Sequence, residues 1–198
     1  MEDHYYSPTP HAKSEPKYIS FSVNGEELKL KTDRGVFSKD SVDFGSRLLI
    51  ETFELPNADG PILDMGCGYG VIGISIAKKY PGHSLTMVDI NERAVSLASE
   101  NALNNGIEAR VFQSNLYENV TGEYAVVVSN PPIRAGKETV HHILAHARSH
   151  LLPQGELWTV IQKKQGAPSA VKKLEEIYDD VDIVKKSKGY YIIRAVKA

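Results

Sequence analysis

The chain has 198 residues, of which 41% are hydrophobic and 24% are charged, and its formal net charge is −2. This size and composition fit one soluble globular domain, and the charge excludes a protein that binds nucleic acid through its overall charge, so any such contact needs a local basic surface. The single cysteine, Cys67, excludes an internal disulfide, no apolar stretch nears the ~18 residues that span a bilayer, and the polar N-terminus does not resemble a signal peptide. We therefore expect a cytoplasmic protein without a membrane anchor.

The N-terminal quarter predicts an arm, a β-hairpin and a helix. Residues 1–17 are polar and contain prolines, which indicates a loose arm. Apolar residues then alternate with polar ones over residues 19–30, and Asn24-Gly25 in the middle favours the type I′ turn of a hairpin. A helix is predicted over residues 41–53. We expect residues 1–55 to pack as an extension on a main domain formed by residues 56–198.

From residue 61 onward, predicted strands alternate with helices. Such alternation is typical of right-handed βαβ units on a parallel sheet. The last two strands are joined only by residues 187–189, a link too short for a crossover, so we expect that pair to be antiparallel. The sequence thus predicts an α/β, Rossmann-like fold with a seven-stranded, mostly parallel sheet, an antiparallel last strand and helices on both faces. The first predicted strand begins at residue 62, and the others are 84–90, 110–113, 124–129, 156–161, 181–186 and 190–196. The first predicted helix follows the glycine-rich loop and ends near residue 80, and the others are 92–105, 137–152 and 169–178.

A glycine-rich loop follows the first of these strands. Gly68-x-Gly70-x-x-Gly73 matches a dinucleotide-binding fingerprint, whose glycines allow a tight turn and the close approach of a ligand. Asp89 ends the next strand, where a carboxylate suits a ribose diol. Asp64 ends the preceding strand, where its charge would repel a pyrophosphate but suits a ligand with an ammonium and a sulfonium group. We therefore favour a cationic nucleoside cofactor, with NAD as the alternative.

A second signal stands directly after the apolar run of residues 125–128, in Ser129-Asn130-Pro131-Pro132-Ile133. Each proline lacks an N–H group and pushes the residue before it out of the helical region, so Asn130 is held extended at a strand tip. Its amide and the carbonyl of Pro131 offer acceptors suited to an exocyclic amino group. A plain exit from strand to loop is the alternative at this point, because Asn-Pro is a common turn pair.

In combination these motifs resemble a known family. Asp64-x-Gly66-x-Gly68-x-Gly70, Asp89, Asn115 and Asn130-Pro131-Pro132 occur in the order of class I S-adenosylmethionine-dependent methyltransferases. Three further stretches resemble the RsmC-type branch, in its short, single-domain bacterial form (the YbxB type). They are Gly35-Val36-Phe37-Ser38, Asp43-Phe44-Gly45-Ser46 and the eight residues from Asn130 to Lys137. The RsmC-type enzymes methylate N2 of guanine in small-subunit (16S) ribosomal RNA, so the resemblance implies that activity here.

The resemblance implies S-adenosylmethionine as cofactor, with S-adenosylhomocysteine as product. Asp64 would lie near the amino group of the cofactor, Asp89 would hold its ribose hydroxyls, and Ile90 would lie against its adenine. Asn115 matches a position that is more often Asp and that bonds the adenine amino group. The remaining implied cofactor contacts are Phe37, Gly66, Cys67, Gly68, Gly70 and Asn130, and for Cys67 a small packing residue is the alternative.

The resemblance also implies which residues handle the substrate. Asn130 and the carbonyl of Pro131 would accept the two N–H bonds of guanine N2 and so act as the catalytic groups. Ile133 replaces an aromatic residue of DNA- and protein-modifying relatives, so the base is clamped elsewhere, for example by Phe37, Tyr69 or Arg134. The implied substrate-binding residues are Pro132, Ile133, Arg134, Lys137, Lys163 and Lys164, whereas for Lys185, Lys186 and Lys188 we favour a solvated surface.

Several alternatives stay open. A methyltransferase for adenine N6 or for a protein glutamine is the second reading, and a non-catalytic RNA-binding module is the third. Expected partners are ribosomal RNA or the small ribosomal subunit, with a monomer or a homodimer as the oligomeric state. His142, His146 and His150 recur at helical spacing, but no cysteine or clear carboxylate accompanies them, so we expect no metal site.

Overall fold

The computed structural model describes residues 4–198, and within that range the chain forms a two-stranded hairpin and a seven-stranded sheet. The order in the large sheet is β5-β4-β3-β6-β7-β9-β8, and β9 runs antiparallel to both of its neighbours. The hairpin strands are β1 Lys17–Val23 and β2 Glu26–Thr32. The sheet strands are β3 Ile62–Met65, β4 Leu85–Asp89, β5 Ala109–Gln113, β6 Tyr124–Ser129, β7 Leu151–Gln162, β8 Asp180–Ser187 and β9 Tyr190–Val196. The helices are α1 Phe44–Thr52, α2 Val71–Lys79, α3 Glu92–Asn104, α4 Lys137–Ala147 and α5 Ala167–Glu175.

The predicted fold class is confirmed, including the seven strands, the antiparallel last strand and the helices on both faces. One hydrophobic cluster joins the hairpin and α1–α3 to one face of the sheet, and a second joins α4 and α5 to the other. The sequence did not predict that β9 lies between β7 and β8. The division of the chain at residue 55 stays a prediction.

Several predicted boundaries differ from the observed ones: the helix predicted over 41–53 is Phe44–Thr52, the strand predicted at 156–161 is Leu151–Gln162, and the helix predicted to end at 178 ends at Glu175. Two differences have local reasons. The helix predicted over 137–152 ends at Ala147, and β7 begins at Leu151, because Pro153 forces the residue before it out of the helical region. The helix predicted from residue 169 begins at Ala167, directly after Gly166, whose φ of 108° breaks the preceding turn. Pro168 is tolerated there because the first helical turn leaves its N–H groups without helical partners.

The hairpin is confirmed, with Asn24 and Gly25 both at positive φ (51° and 80°) as a type I′ turn requires. It is fixed to the main sheet layer by Asn101 of α3. The side-chain oxygen of Asn101 accepts from the N–H of Lys31 at 2.7 Å, and its amide donates to the carbonyls of Lys31 and Tyr69. The glycine-rich loop and the hairpin are therefore held by one buried side chain.

The prediction of a loose N-terminal arm is wrong for the described residues 4–17. Asn91 donates from its side chain to the carbonyl of Tyr5 at 3.0 Å, and the N–H of Glu92 donates to the carbonyl of Pro8 at 3.0 Å. Farther along, Ser14 donates to Asp33 at 2.7 Å. These bonds lay the arm across the end of β4, which brings its aromatic residues to the site described below. Residues 1–3 lie outside the described part.

The adjacency of β4, β3 and β6 positions the residues of the candidate site. The three strands are parallel, so their carboxyl ends, at Asp89, Met65 and Ser129, meet at one edge of the sheet. The Ser129 hydroxyl donates to the carbonyl of Met65 at 2.8 Å and fixes the two chain exits side by side. Within residues 4–198, no helix is both long and apolar enough to cross a membrane.

Candidate active site

A cavity of about 310 Å³ opens at this edge of the sheet. Ligands of open parallel sheets bind in this place, outside the carboxyl ends of the strands. Its walls come from the N-terminal arm, residues 36–37, the glycine-rich loop, the loops after β4 and β5, the Asn-Pro-Pro segment, and the helices α3 and α4. The lining residues that the sequence predicted as site residues are Phe37, Gly66, Gly68, Asp89, Ile90, Asn115, Asn130 and Pro132.

Two glycines form the floor of the cavity. Gly66 and Gly68 have φ of 72° and 55°, in the region that side chains rarely adopt, and a Cβ built on either would meet no atom within 4 Å. The N–H of Gly68 donates to Oδ2 of Asp89 at 2.8 Å, and the N–H of Asn91 donates to Oδ1 of Asp89 at 2.9 Å. Each carboxylate oxygen keeps a further acceptor site, so Asp89 is fixed in place and still able to bind a diol.

Asp64 lies beneath the glycine-rich loop and is 1% exposed. Its Oδ2 accepts from the N–H of Gly73 at 2.8 Å, and its Oδ1 is buried with no hydrogen-bond partner among the described residues. Burial raises the pKa of Asp64 to about 7 and that of Asp89 to about 6, although N–H donors act in the opposite direction on both. An unpartnered buried carboxylate oxygen next to a ligand cavity fits a ligand that brings a cationic group.

Other glycines of the motif serve packing. A Cβ on Gly70 would lie 3.3 Å from the backbone of Ala98 in α3, and one on Gly73 would lie 2.9 Å from Oδ2 of Asp64. Gly70 therefore lets α3 approach the loop, and Gly73 lets its own N–H reach Asp64. Gly70, the buried Cys67 and the buried Asp64 do not line the cavity, whereas Met65 and Gly66, which directly follow Asp64, do.

Asn130 lines the same cavity as the two glycines. Its side-chain amide donates to Oγ of Ser46 at 3.0 Å and to Oδ2 of Asp43 at 3.3 Å. Asp43 and Ser46 belong to the start of α1, more than eighty positions earlier in the sequence. The amide nitrogen of Asn130 thus donates toward the start of α1. Its Oδ1 accepts no hydrogen bond from any residue in the described range.

The arm contributes two cavity residues that the sequence analysis missed, Tyr5 and Tyr6. The rings of Tyr5 and Phe37 lie 5.2 Å apart, Tyr5 and Tyr6 pack edge to face, and the backbone of Arg134 approaches the Tyr5 hydroxyl. Burial raises the pKa of Tyr5. The only available signal was the aromatic pair itself within an otherwise polar stretch, and nothing in its spacing indicated that the segment folds back over the sheet.

The remaining predicted substrate residues surround the cavity and do not line it. Pro131 is buried, Ile133 and Lys137 border a separate depression beside α4, and Arg134 borders a groove next to Phe37. Lys163 and Lys164 follow β7 in a short 3₁₀ turn. The three histidines do not share one cluster: the rings of His142 and His146 in α4 stack at 3.8 Å, whereas His150, beyond the end of α4, stacks on Tyr117.

Comparison with known proteins gives the family. The model of the methyltransferase small domain matches residues 27–194, so the chain belongs to that family and is an S-adenosylmethionine-dependent methyltransferase. A Bacillus subtilis protein, the uncharacterized protein YbxB, is 52% identical over the full length of both chains. Ribosomal RNA small subunit methyltransferase C of Vibrio vulnificus is 34% identical and covers 91% of this chain, but the match covers only 53% of that relative.

Solved structures agree on the fold. The T. thermophilus 16S rRNA N2 methyltransferase RsmC, solved with AdoMet and guanosine, superposes with a TM-score of 0.82 at 24% identity; the match covers 96% of this chain and 52% of that one. The ribosomal protein L11 methylase from Lactobacillus delbrueckii gives 0.65 at 24% identity, with 77% of each chain covered. The chain spans about half the length of the named rRNA methyltransferases.

The residues present fit S-adenosylmethionine. Gly66 and Gly68 leave open space at the floor, Asp89 offers two oxygens, and Asp64 has one unpartnered oxygen for a cation. A pyrophosphate would place further negative charge beside these two buried carboxylates, which argues against NAD.

The raised pKa of Asp64 predicts a pH-dependent stability for the ligand-free protein. The folded state favours the protonated carboxyl, so the stabilisation is fully present below the unfolded value of 3.8 and is lost as pH rises through about 7. Asp64→Asn stays neutral at every pH. We expect its free energy of unfolding, relative to wild type, to increase by about 2–4 kcal/mol between pH 4 and pH 8 in urea titrations. A difference that stays flat with pH would contradict the burial of a raised-pKa carboxyl.

Proposed function

We propose that this protein transfers a methyl group from S-adenosylmethionine to N2 of a guanine in 16S ribosomal RNA. The observation that carries the proposal is the free Oδ1 of Asn130 in the same cavity as Gly66, Gly68 and Asp89. An acceptor fixed there can hold an exocyclic amino group next to the cofactor. The similarity to rRNA methyltransferases and the guanosine in the T. thermophilus complex favour guanine as the base.

Asp89 would bind the ribose hydroxyls of the cofactor, Asp64 its amino group, and Ile90 and Asn115 the adenine. Bound S-adenosylmethionine supplies an electrophilic methyl on a sulfonium. The chain supplies position, which alone accounts for much of the acceleration in a displacement between two bound reactants. The nitrogen–carbon bond forms as the carbon–sulfur bond breaks, sulfur keeps the electron pair as a neutral thioether, and the amine proton leaves to water.

Asn130 would hold the acceptor nitrogen through Oδ1, with the Pro131 carbonyl as the second acceptor. Two N–H bonds in fixed directions turn the nitrogen lone pair toward the methyl group. Pro132 would support the base ring, and the aromatic group of Tyr5, Tyr6 and Phe37 provides the stacking surface that Ile133 lacks. Aromatic stacking on a base contributes about 1–3 kcal/mol, so these rings compensate for the missing aromatic residue after the prolines.

Basic residues at the same edge of the sheet would bind RNA phosphates. Arg134 and Lys137 follow β6, and Lys163 and Lys164 follow β7, which runs parallel to β6 and so ends at the same edge of the sheet. The turn between β8 and β9 reaches the same edge, because Gln162 and Ser187 both pair with Tyr190 and the N–H of Lys163 donates to the carbonyl of Gly189.

Charge is divided along β8 itself. Its acidic half is paired, since Arg194 contacts both Asp180 and Asp182. Its basic half, Lys185 and Lys186, and the following Lys188 form no ion pair within the described part of the chain. We therefore add these three lysines to the proposed RNA contacts, in place of the solvated surface that the sequence favoured.

A second function is favoured by one observation. The free Oδ1 of Asn130 can accept from any N–H2 group, so adenine N6 or a glutamine side chain would satisfy the same acceptor. The aromatic surface of Tyr5 and Tyr6 supports a planar base over a glutamine side chain.

The assay that tests the proposal uses 16S RNA and small subunits from a strain without the enzyme. With labelled S-adenosylmethionine, we expect label in N2-methylguanine after digestion to nucleosides. Label in N6-methyladenine would identify adenine, not guanine, as the substrate base. Label in methylglutamine would identify a protein substrate. A rise in melting temperature with S-adenosylhomocysteine but not with NAD checks the cofactor independently.

Asn130→Ala should separate substrate chemistry from cofactor binding. We expect the turnover rate to fall at least about a hundredfold, as for loss of one hydrogen bond formed at the reacting atom. The dissociation constant of S-adenosylhomocysteine, measured by calorimetry, should change less than about threefold. Weakened cofactor binding with turnover retained would contradict the proposed role. Asn104→Ala, at an exposed position of α3, is the control.

The proposed contribution of Lys185, Lys186 and Lys188, at the turn between β8 and β9, predicts a change in salt dependence. Lys186→Gln with Lys188→Gln should lower the slope of log affinity for RNA against log salt by roughly 1.5, about 0.7–0.9 for each phosphate contact. Lys29→Gln with Lys172→Gln removes the same charge at two exposed positions on other elements and should leave the slope unchanged. Equal effects of both pairs would mean that only net charge matters.

A further inference from the structure

A polar cluster joins the start of α1 to the Asn-Pro-Pro segment. Ser46 is 3% exposed, and its Oγ lies 3.0 Å from the side-chain nitrogen of Asn130. Oδ2 of Asp43 lies 3.3 Å from the same nitrogen and 3.0 Å from the backbone N–H of Ser46, which it caps. One carboxylate oxygen thus fixes both the first turn of a helix and the side chain of a proposed catalytic residue.

The chemistry of Asp43 decides the orientation of the Asn130 amide. An ionised carboxylate only accepts hydrogen bonds, whereas the two ends of an amide differ: one end donates two and the other accepts. The end of Asn130 that faces Asp43 must therefore be the N–H2 group, and the oxygen is left for the cavity. In the flipped orientation the carbonyl oxygen would face the carboxylate, which is repulsive, and the N–H2 group would face a substrate amine.

We propose that Asp43 and Ser46 are positioning residues, which hold the Asn130 amide in the one orientation that can accept a hydrogen bond from the substrate amine. This inference rests on the proposed function of Asn130. Only if Asn130 accepts a hydrogen bond from the substrate amine does its amide oxygen need one defined direction. Asp43 and Ser46 touch neither substrate nor cofactor in this scheme. Their effect is on the fraction of the enzyme whose Asn130 is correctly turned.

The helix cap and the orientation can be separated by substitution. Asp43→Ser keeps a good N-cap, since serine caps helices about as well as aspartate, but its side chain is too short to reach Asn130. Ser46→Ala removes the second acceptor without touching the cap, which uses the backbone N–H of residue 46. The double variant should therefore retain α1 and free the Asn130 amide to turn.

We expect the double variant Asp43→Ser, Ser46→Ala to lower kcat at least tenfold in the methylation assay. The KM for RNA and the dissociation constant of S-adenosylhomocysteine should change less than threefold, and the melting temperature by no more than that of the control. Ser46→Ala alone should lower kcat two- to fivefold. The control is Asp40→Ser with Ser41→Ala, which makes the same two replacements at exposed positions of the same segment.

Asp43→Asn tests orientation against charge. Its side-chain oxygen can still cap Ser46 and accept from Asn130, so at least a third of the wild-type kcat should be recovered. A kcat as low as that of the double variant, or a double variant with unchanged kcat, would overturn the proposal. If wild type methylates adenine N6 or glutamine instead of guanine, the guanine proposal fails, while the same comparison on that N–H2 acceptor still decides the orientation. No transfer by wild type to any acceptor would overturn both.

Discussion

The parallel pairing of β4, β3 and β6 is the constraint on which the site depends. It brings the ends of three strands to one edge, so that residues far apart in sequence become neighbours within a single cavity. Asp89, Gly66 and Asn130 each follow or end one of these strands. A shift of register by one residue would turn the side chain at each strand end to the opposite face. The apolar pairing inside the sheet, which is fully buried in β6, therefore fixes the geometry of the polar groups at its end.

Burial at this edge opposes ionisation of the same carboxylates that fit the cofactor. Asp64 and Asp89 both have raised pKa values because the loops that shape the cavity also exclude water. One buried oxygen of Asp64 has no hydrogen-bond partner within residues 4–198. Burial removes the hydration of the Asp64 carboxylate, and a bound cation would replace it with a favourable charge–charge interaction. The buried carboxylate therefore favours a positively charged ligand.

The sequence predicted the fold and part of the cavity lining because both follow from local patterns. The strands and glycine turns follow from apolar periodicity and from glycine chemistry, and Gly66, Gly68, Asp89 and Asn130 stand at fixed offsets from them. It did not predict contacts that depend on how separate segments meet. One hydrogen bond from Asn91 to the carbonyl of Tyr5 holds the arm at the cavity. The polar residues 1–17 show no periodicity that would predict this contact. The sequence also did not predict that Gly70 packs against Ala98, because that contact is set by the position of α3.

The direction of the Asn130 amide shows why contacts between distant segments matter for the chemistry of the site. Asn-Pro-Pro restricts the backbone of Asn130, but no proline restricts rotation of its side-chain amide, whose two ends have nearly the same shape. Only an external partner of known polarity can choose between them, and a carboxylate at Asp43 offers acceptor atoms only. Residues before and after the cofactor loops must therefore fold together before the acceptor exists. The start of α1 therefore fixes the direction of the proposed acceptor, and the Asn-Pro-Pro motif by itself specifies only its position.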